Sequence, residues 1–433
     1  MDFLQQSVLP QSAHHIVLLK YMLVLAYFIF LPYFALLLGS MFISDSYRKK
    51  YNDKNLSSYK VVDFLTFNRI APIAFGFVPF LSIVFIYMQI FQFEGLNFVI
   101  PFFFSFIFLI FGTILLYFYK HYYSLHLLIK NESEQLQESE KFLSLLKSLN
   151  NFERYGKYSK LFLILGMITF FASANYAINS IQPDISFIVS LISIKTIVHF
   201  IEFVVLSFLL SYILFGYNLV KSGEGSNYEI LASLTKRILV FSLSIPLLIL
   251  LETVTSEKNS LSENYFIYVL INIFTIILIS NTAYKSIKSG EPLKFNSVLF
   301  MIIIFVASFI IKDQYLFNTQ SQLAVNKLID NYTLYENKVK AEFGVVVVKV
   351  SGADIFNGKC IACHNFDKKV VGPAYKDVLP KYEGKMPDLV KFILNPVKVN
   401  PDFPSMPNQG LKPNEAEAIA DYIMQTYTQQ YKK

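Results

Sequence analysis

The sequence predicts an all-α membrane protein, a polytopic bundle of about eight transmembrane helices followed by a small soluble C-terminal domain. The first reason is composition, because 54% of the 433 residues are hydrophobic and only 16% are charged. A soluble chain of this length cannot bury so much apolar surface in ordinary cores. The second reason is that the apolar residues come in blocks of about twenty, the length that crosses ~30 Å of hydrocarbon.

Eight blocks have the length of a membrane span. Their predicted ranges are 16–44, 70–92, 98–119, 161–180, 187–217, 238–255, 265–284 and 296–312. We expect the first block to be a permanent span and not a signal peptide. Residues 1–15 before it carry no Lys or Arg, and the block is longer than the apolar core of a signal peptide.

Basic residues are distributed unevenly between the loops. The loops after blocks 1, 3, 5 and 7 hold at least eighteen Lys and Arg residues, whereas those after blocks 2, 4 and 6 hold only Lys258. Loops rich in Lys and Arg stay in the cytoplasm. We therefore expect a bacterial cytoplasmic-membrane protein whose N-terminus and C-terminal domain lie on the outer, periplasmic face. The net charge of +7 lies mostly in these loops and does not indicate nucleic-acid binding.

Composition divides the chain into three predicted parts. Residues 1–312 form the membrane bundle, 313–350 a linker on the outer side, and 351–433 a soluble domain. Apolar residues recur at helical spacing in the linker, which predicts an amphipathic helix there. The residues in this pattern are Val325, Leu328, Tyr332, Tyr335 and Val339.

The C-terminal domain contains both cysteines of the chain, in the pentapeptide Cys360-Ile-Ala-Cys363-His364. In this arrangement the two thiols form thioethers with the vinyl groups of a haem, and the adjacent His364 reaches the iron. A redox dithiol does not need the following histidine, and a zinc site needs four ligands, for which the chain has no further cysteine. The motif therefore favours one covalently attached haem c.

The second axial ligand of this iron is expected to be a methionine, because the domain offers no other histidine. The candidates are Met386, Met406 and Met424. Met424 lies in the helical run 414–429 and fits a core position. Met386 and Met406 each precede a proline, and Met406 lies in the Pro-rich loop 401–407, which can present a thioether rigidly.

Residues 352–430 resemble the small bacterial class I cytochromes c. The matching segments are 360–364, 371–378, 405–407 and the C-terminal helix over 416–424. The resemblance implies that Met406 is the distal ligand and that the backbone of Gly372-Pro373 holds the proximal imidazole. Ligation by His and Met raises the reduction potential relative to two imidazoles. It also leaves no open position on the iron, so we expect electron transfer and not substrate binding.

Lysine is frequent in this domain, with eleven Lys against nine acidic residues from residue 352 onward. A ring of Lys around the haem edge would steer the domain to an acidic redox partner. Ordinary solvated Lys side chains would give the same composition. Both interpretations stay open, because spacing alone does not separate them.

Span 5 carries three polar residues that share one helical face, Lys195, His199 and Glu202. In one interpretation His199 ligates a haem b, with His14 or His15 at the outer mouth of span 1 as the second ligand. In another, Lys195 and Glu202 pair with each other and His199 is a satisfied core group. In a third, the same three groups form a proton path.

The order of an outer histidine on span 1 and a histidine on span 5 resembles the large subunit of cytochrome bd-type quinol oxidases. This resemblance covers residues 1–312. It departs from that family in span 3, which has no acidic residues for oxygen chemistry, and we find no quinol-binding loop. The resemblance implies a module that keeps one haem b and has lost oxygen reduction.

Two classes of function follow. In the first, the protein transfers electrons, alone or as a subunit of a quinol-oxidising or terminal-oxidase-type respiratory complex. Its expected partners are the membrane, redox proteins, other subunits and the quinone pool, with quinol and haem b as further candidate cofactors. In the second, the membrane part transports or senses, and the haem domain reports redox state. We favour the first, because a haem c tethered to a membrane by many spans is most simply explained as an electron relay. Eight spans exceed what an anchor needs, so we expect the membrane part to have a role of its own or to hold partner subunits.

Overall fold

The structure is a computed structural model that describes residues 12–51, 62–66, 68–93, 97–133, 152–179, 186–221, 228–256, 261–343, 351–401 and 403–431. All regular elements within these ranges are helices, as predicted. The chain forms two compact units, Met1–Tyr335 and Glu336–Lys433. We call them the membrane unit and the C-terminal unit.

The described part of the membrane unit consists mainly of long helices. They are α1 (Ala13–Tyr51), a π-helical turn (Ile73–Phe77) that continues into α2 (Val78–Ile90), α3 (Val99–Ser133), α4 (Phe152–Asn179), α5 (Phe187–Leu191), α6 (Ile194–Lys221), α7 (Tyr228–Thr255), α8 (Glu263–Ser289) and α9 (Phe295–Gln320).

Eight of the described helices are long and apolar enough to cross a membrane, which confirms the predicted number of spans. They are α1, the helix over Ile73–Ile90, α3, α4, α6, α7, α8 and α9. Their outer faces are apolar: Leu247 is 69% exposed, and Leu270 and Phe300 are 66% exposed. Such a surface is unfavourable in water and suits lipid, so the unit has the character of a multi-pass membrane protein.

The fifth span differs from the sequence-based prediction, which was a single helix over 187–217. The structure has two helices there, α5 and α6, separated at Ser193. The Ser193 hydroxyl accepts from the Thr196 N–H at 3.2 Å and donates to the Ser190 carbonyl at 2.9 Å. These bonds satisfy an N–H group at the start of α6 and a carbonyl near the end of α5. Hydropathy could not show the break, because the residues on both sides are apolar.

Small residues bring the spans into close contact. Ser105 on α3 donates to the Gly166 carbonyl on α4 at 2.7 Å, and Ser159 on α4 donates to the Gly112 carbonyl on α3 at 2.7 Å. A Cβ at Gly166 would lie 2.7 Å from the Leu109 side chain. Helices in lipid associate through packing and such interhelical hydrogen bonds, because the hydrophobic effect does not favour contact between helices that are already surrounded by lipid.

The predicted linker over 313–350 contains the end of α9 and the whole of α10 (Gln322–Glu342). Val325 and Leu328 on the predicted apolar stripe are buried in the core of the membrane unit, whereas Tyr335 is 48% exposed. Residues 344–350 lie outside the described part of the chain.

The C-terminal unit is a small helical domain. Its helices are α11 (Gly352–Ile355), which continues as a π-helical turn (Phe356–Cys360), α12 (Tyr375–Val378) with a 3₁₀ turn (Leu379–Tyr382), α13 (Met386–Leu394) and α14 (Pro413–Tyr431). Helix α14 packs against α11 and α13. The first contact requires Gly352, because a Cβ there would lie 2.1 Å from the Ala418 carbonyl oxygen.

Candidate functional site

One turn of the C-terminal unit presents both thiols and the following imidazole. The N–H groups of Cys363 and His364 donate to the Cys360 carbonyl, at 3.1 and 2.9 Å. Cys360 is buried in the core of the unit, Cys363 is half-buried, and neither forms a disulfide. Burial raises the pKa of the Cys360 thiol. The turn therefore places two free thiols and one imidazole side by side.

Three neighbours hold the His364 ring. Its Nδ1 lies 3.3 Å from the Pro373 carbonyl oxygen, and its plane stacks on Tyr375 at 5.0 Å with an angle of 9°. Gly372 lies so close to the ring edge that a Cβ there would be 2.4 Å from the Cε1 atom of His364. Burial lowers the pKa of His364, so the ring is neutral at pH 7. With Nδ1–H donating to Pro373, the lone pair of Nε2 stays available for a metal.

His364 and Cys363 line a cleft whose empty volume is about 1190 Å³, with the open solvent at its mouth included. Its walls are mainly apolar and carry two lysines, Lys381 and Lys398. The apolar side chains include Val371, Leu379, Leu389, Ile393, Val399, Phe403 and Ile423. A cleft of this size and lining suits a large apolar group held by a few polar contacts.

The three methionines of the unit, all described, occupy different places. Met406 lines the same cleft as His364, in the loop between α13 and α14. Met386 begins α13 and lines a separate depression, beside Glu417. Met424 is half-buried on α14 and packs against the core of the unit. Met406 is thus the methionine that shares a cavity with the imidazole.

These residues fit a covalently bound haem. The Cys363 thiol, the His364 imidazole with an available Nε2 and the Met406 thioether sulfur line one apolar cleft, and the Cys360 thiol lies in the same turn as Cys363 and His364. Buried apolar walls keep water from a bound iron, and the hydrogen bond to Pro373 fixes the tautomer that a ligating histidine needs.

Residues 350–427 match the family model for cytochrome c. The cytochrome c-551 of Pseudomonas denitrificans is 40% identical over 79 residues, which cover 17% of this chain and 95% of that protein. The chain belongs to the cytochrome c family. The cytochrome c-552 of Nitrosomonas europaea is 39% identical over 15% of this chain and 67% of its own length, and that of Hydrogenobacter thermophilus is 35% identical over 18% and 91%. No solved structure matches.

The C-terminal unit is therefore a class I cytochrome c domain, which confirms the predicted family. Such a domain transfers electrons through a covalently bound haem c. The family match lies within residues 350–427. The resemblance of residues 1–312 to the large subunit of cytochrome bd-type quinol oxidases stays a prediction.

The polar face of span 5 meets partners from two other spans. The Lys195 ammonium donates to Gln320 on α9 at 2.9 Å. His199 Nδ1 lies 3.5 Å from a carboxylate oxygen of Glu202, one turn further along α6. His199 and Glu202 together approach Glu252 on α7, and their ligand atoms lie within 4.8 Å of one another. Of the three polar residues predicted on this face, Lys195 thus contacts α9, whereas His199 and Glu202 approach Glu252 on α7.

Sequence reasoning missed three members of this cluster: Glu252, Lys312 and Asp313. The fully buried Lys312 ammonium on α9 bonds to Glu252 and lies 3.0 Å from Asp313. Glu252 could have been found, because an acidic residue inside a span is costly and marks a site. Lys312 and Asp313 fell at the predicted end of span 8, whereas α9 continues for seven residues beyond Asp313, to Gln320.

His14 and His15 do not line the cavity that His199 lines. His199 lines a cavity beside Tyr27 and Leu31 of α1. His15 precedes Tyr27 by twelve residues of continuous helix, or ~18 Å at 1.5 Å per residue. Two axial ligands of one haem must reach the same iron atom. The predicted pairing of His199 with His14 or His15 on one haem b stays a prediction, and this separation along α1 argues against it.

Proposed function

We propose that the protein is a membrane-bound cytochrome c of a bacterial respiratory or other energy-transducing membrane, with its haem domain on the periplasmic face. Cys360 and Cys363 carry the haem, and His364 and Met406 are its axial ligands. The observation that carries this proposal is the common cleft of His364 and Met406, which Met386 and Met424 do not line.

The surrounding residues support this ligation by orientation. Pro373 accepts from Nδ1 of His364, Tyr375 stacks on the ring, and the space at Gly372 admits the ring edge. A haem c with two protein ligands exchanges one electron at a time and offers no position to a substrate. The residues at the cleft thus keep the imidazole neutral and exclude water. An iron held in this way would transfer electrons and not bind a substrate.

The cleft also supports a docking role for lysine. Lys381 and Lys398 belong to its lining, and the formal charge of the domain from residue 352 onward is positive. An acidic redox protein, or an acidic subunit of the same complex, fits this surface and would bind faster at low ionic strength. The periplasmic placement rests on the excess of basic residues in the odd-numbered loops.

The first test is the ligand set. In Met406→Ala we expect loss of the weak sulfur-to-iron band at the red end of the oxidised spectrum. The reduction potential should fall, because axial ligands shift haem potentials over about 0.8 V. Met386→Ala is the matched control, since it removes the other methionine that precedes a proline. Loss of the band in Met386→Ala and its survival in Met406→Ala would show that the proposed ligand is wrong.

The second test is the haem stoichiometry of the purified full-length protein. A pyridine haemochrome spectrum should show one haem c per chain. An additional haem b would place a second cofactor in the membrane unit and make quinol oxidation the next assay. Haem c alone would leave the membrane unit without a haem and remove His199 as a haem ligand.

A further inference from the structure

We propose that His199, Glu202 and Glu252 bind one divalent metal ion of the first transition row inside the membrane unit. This ion is separate from the haem iron and does not depend on the proposed haem ligands. One nitrogen and two carboxylate oxygens of these residues lie within 4.8 Å of one another. His199 and Glu202 come from α6 and Glu252 from α7, so the ion joins two spans.

The geometry is close to that of a metal site. His199 and Glu202 are three residues apart, which places both side chains on one face of α6. Helical bundles commonly build metal sites from a histidine and a carboxylate at this spacing, completed by carboxylates from facing helices. Ligand atoms bound at ~2.1 Å from a metal lie roughly 3.4 to 4.2 Å apart. Small torsional changes would close the present spacing to this range.

The carboxylate oxygens of the cluster need a positive partner. Glu202 is 6% exposed and Glu252 is 2% exposed. Neither carboxylate oxygen of Glu202 receives a hydrogen bond from the described residues. The same holds for Oε1 of Glu252. Lys312 occupies the other oxygen of Glu252. Buried polar atoms without a partner are costly and rare, so three of them beside an imidazole indicate a bound group.

Charge leads to the same conclusion. Three carboxylates meet here, on Glu202, Glu252 and Asp313, and the fully buried Lys312 balances one of them. Lys195, which donates to Gln320, adds one further positive charge, so the cluster with all three carboxyl groups ionised still carries one excess negative charge. An uncompensated charge in an apolar interior costs several kcal/mol, roughly, after relaxation. A divalent cation supplies the missing positive charge where the free oxygens lie.

The mixed ligand set defines the class of ion. Imidazole favours zinc, iron, nickel and copper, whereas carboxylate oxygens favour manganese, calcium and magnesium. One imidazole with two carboxylates therefore suits Zn²⁺, Fe²⁺ or Mn²⁺. The group of His199, Glu202 and Glu252 contains no cysteine, so the proposed site does not use a thiolate.

The experiment measures metal content in the full-length protein with its haem c, purified in detergent without chelators. Elemental analysis should give about one equivalent of a first-row metal beyond the one iron of haem c. After chelation, titration with Zn²⁺ alone and with Mn²⁺ alone should restore one site. Glu202→Gln and His199→Gln should lose the extra equivalent or bind at least about tenfold more weakly.

Two controls make the result specific. Glu263→Gln removes an exposed carboxylate at the start of α8 and should keep the site. Thermal unfolding in detergent, followed by circular dichroism, reports the fold of the membrane unit in each variant, and Glu202→Gln leaves the bond between Lys312 and Glu252 in place. The proposal is overturned by a wild type without an extra equivalent and without a titratable site, by equal binding in all variants, or by an extra iron that the haemochrome spectrum assigns to haem b.

Discussion

The haem site and the buried polar cluster of the membrane unit are assembled from the chain in opposite ways. The haem site lies in one continuous segment, with Cys360, Cys363 and His364 in one turn and Met406 in a loop of the same small unit. The membrane cluster joins Glu202, Glu252 and Lys312 from three different spans, and the first and last of these residues are 110 positions apart in the chain. A local motif identifies the first site, whereas the sequence shows only single members of the second and helix packing brings them together.

The two sites also differ in the interactions that their residues make. In the haem site the protein positions groups that bond to a cofactor, and Cys363 is only half-buried. In the membrane cluster the side chains compensate one another: Lys312 is fully buried, and Glu252 is its partner. Loss of one haem-site residue should therefore abolish a cofactor bond, while loss of one cluster residue should destabilise the fold.

The largest effect is expected from removal of both thiols. Cys360→Ser with Cys363→Ser should abolish covalent haem attachment, because no other thiol is present in the chain. Haem staining of the protein on a denaturing gel measures this directly. The single variant Cys363→Ser should keep one thioether at most. Full staining of the double variant would disprove the covalent attachment and with it the contrast between the sites.

The next effect concerns the buried ion pair. Lys312→Met should destabilise the membrane unit by about 3–5 kcal/mol, because it leaves Glu252 as an uncompensated buried charge. Thermal unfolding in detergent, followed by circular dichroism, measures the change. Combining Lys312→Met with Glu252→Gln should recover much of the loss. Lys312→Met without any change in stability would show that the pair does not hold the spans together.

A surface pair provides the control for that experiment. Lys340 lies 2.6 Å from Glu336 on α10, and both side chains are more than 40% exposed. Lys340→Met should change stability by less than about 0.5 kcal/mol, since water and salt screen such pairs.

A smaller effect is expected from the glycine at the proximal histidine. Gly372→Ala should destabilise the C-terminal unit by about 1–3 kcal/mol, because the new Cβ would lie 2.4 Å from the His364 ring. Gly358→Ala is the matched control, since a Cβ there meets no atom within 4 Å. Urea unfolding of the full-length protein, followed by haem absorbance, compares them. Equal stability of the two variants would mean that the ring tolerates displacement.

The amino-acid sequence alone determines much of this protein. The eight spans follow from blocks of apolar residues, because a backbone buried in lipid must form a helix long enough to cross ~30 Å of hydrocarbon. The haem attachment follows from two thiols and an imidazole at a spacing that one helical turn sets. Both are short-range features, in which the chain neighbours that carry the signal are also the neighbours in space.

The remaining features depended on tertiary structure. Hydropathy predicted one helix where Ser193 separates α5 from α6, and it carried no information on which spans face each other. The pairing of Glu252 with Lys312 and the distance between His15 and the level of His199 arise only when the spans pack. The position of Met406 beside His364 likewise needed the folded loop. Long-range contacts are set by side-chain packing between helices, which a linear pattern of apolar residues does not encode.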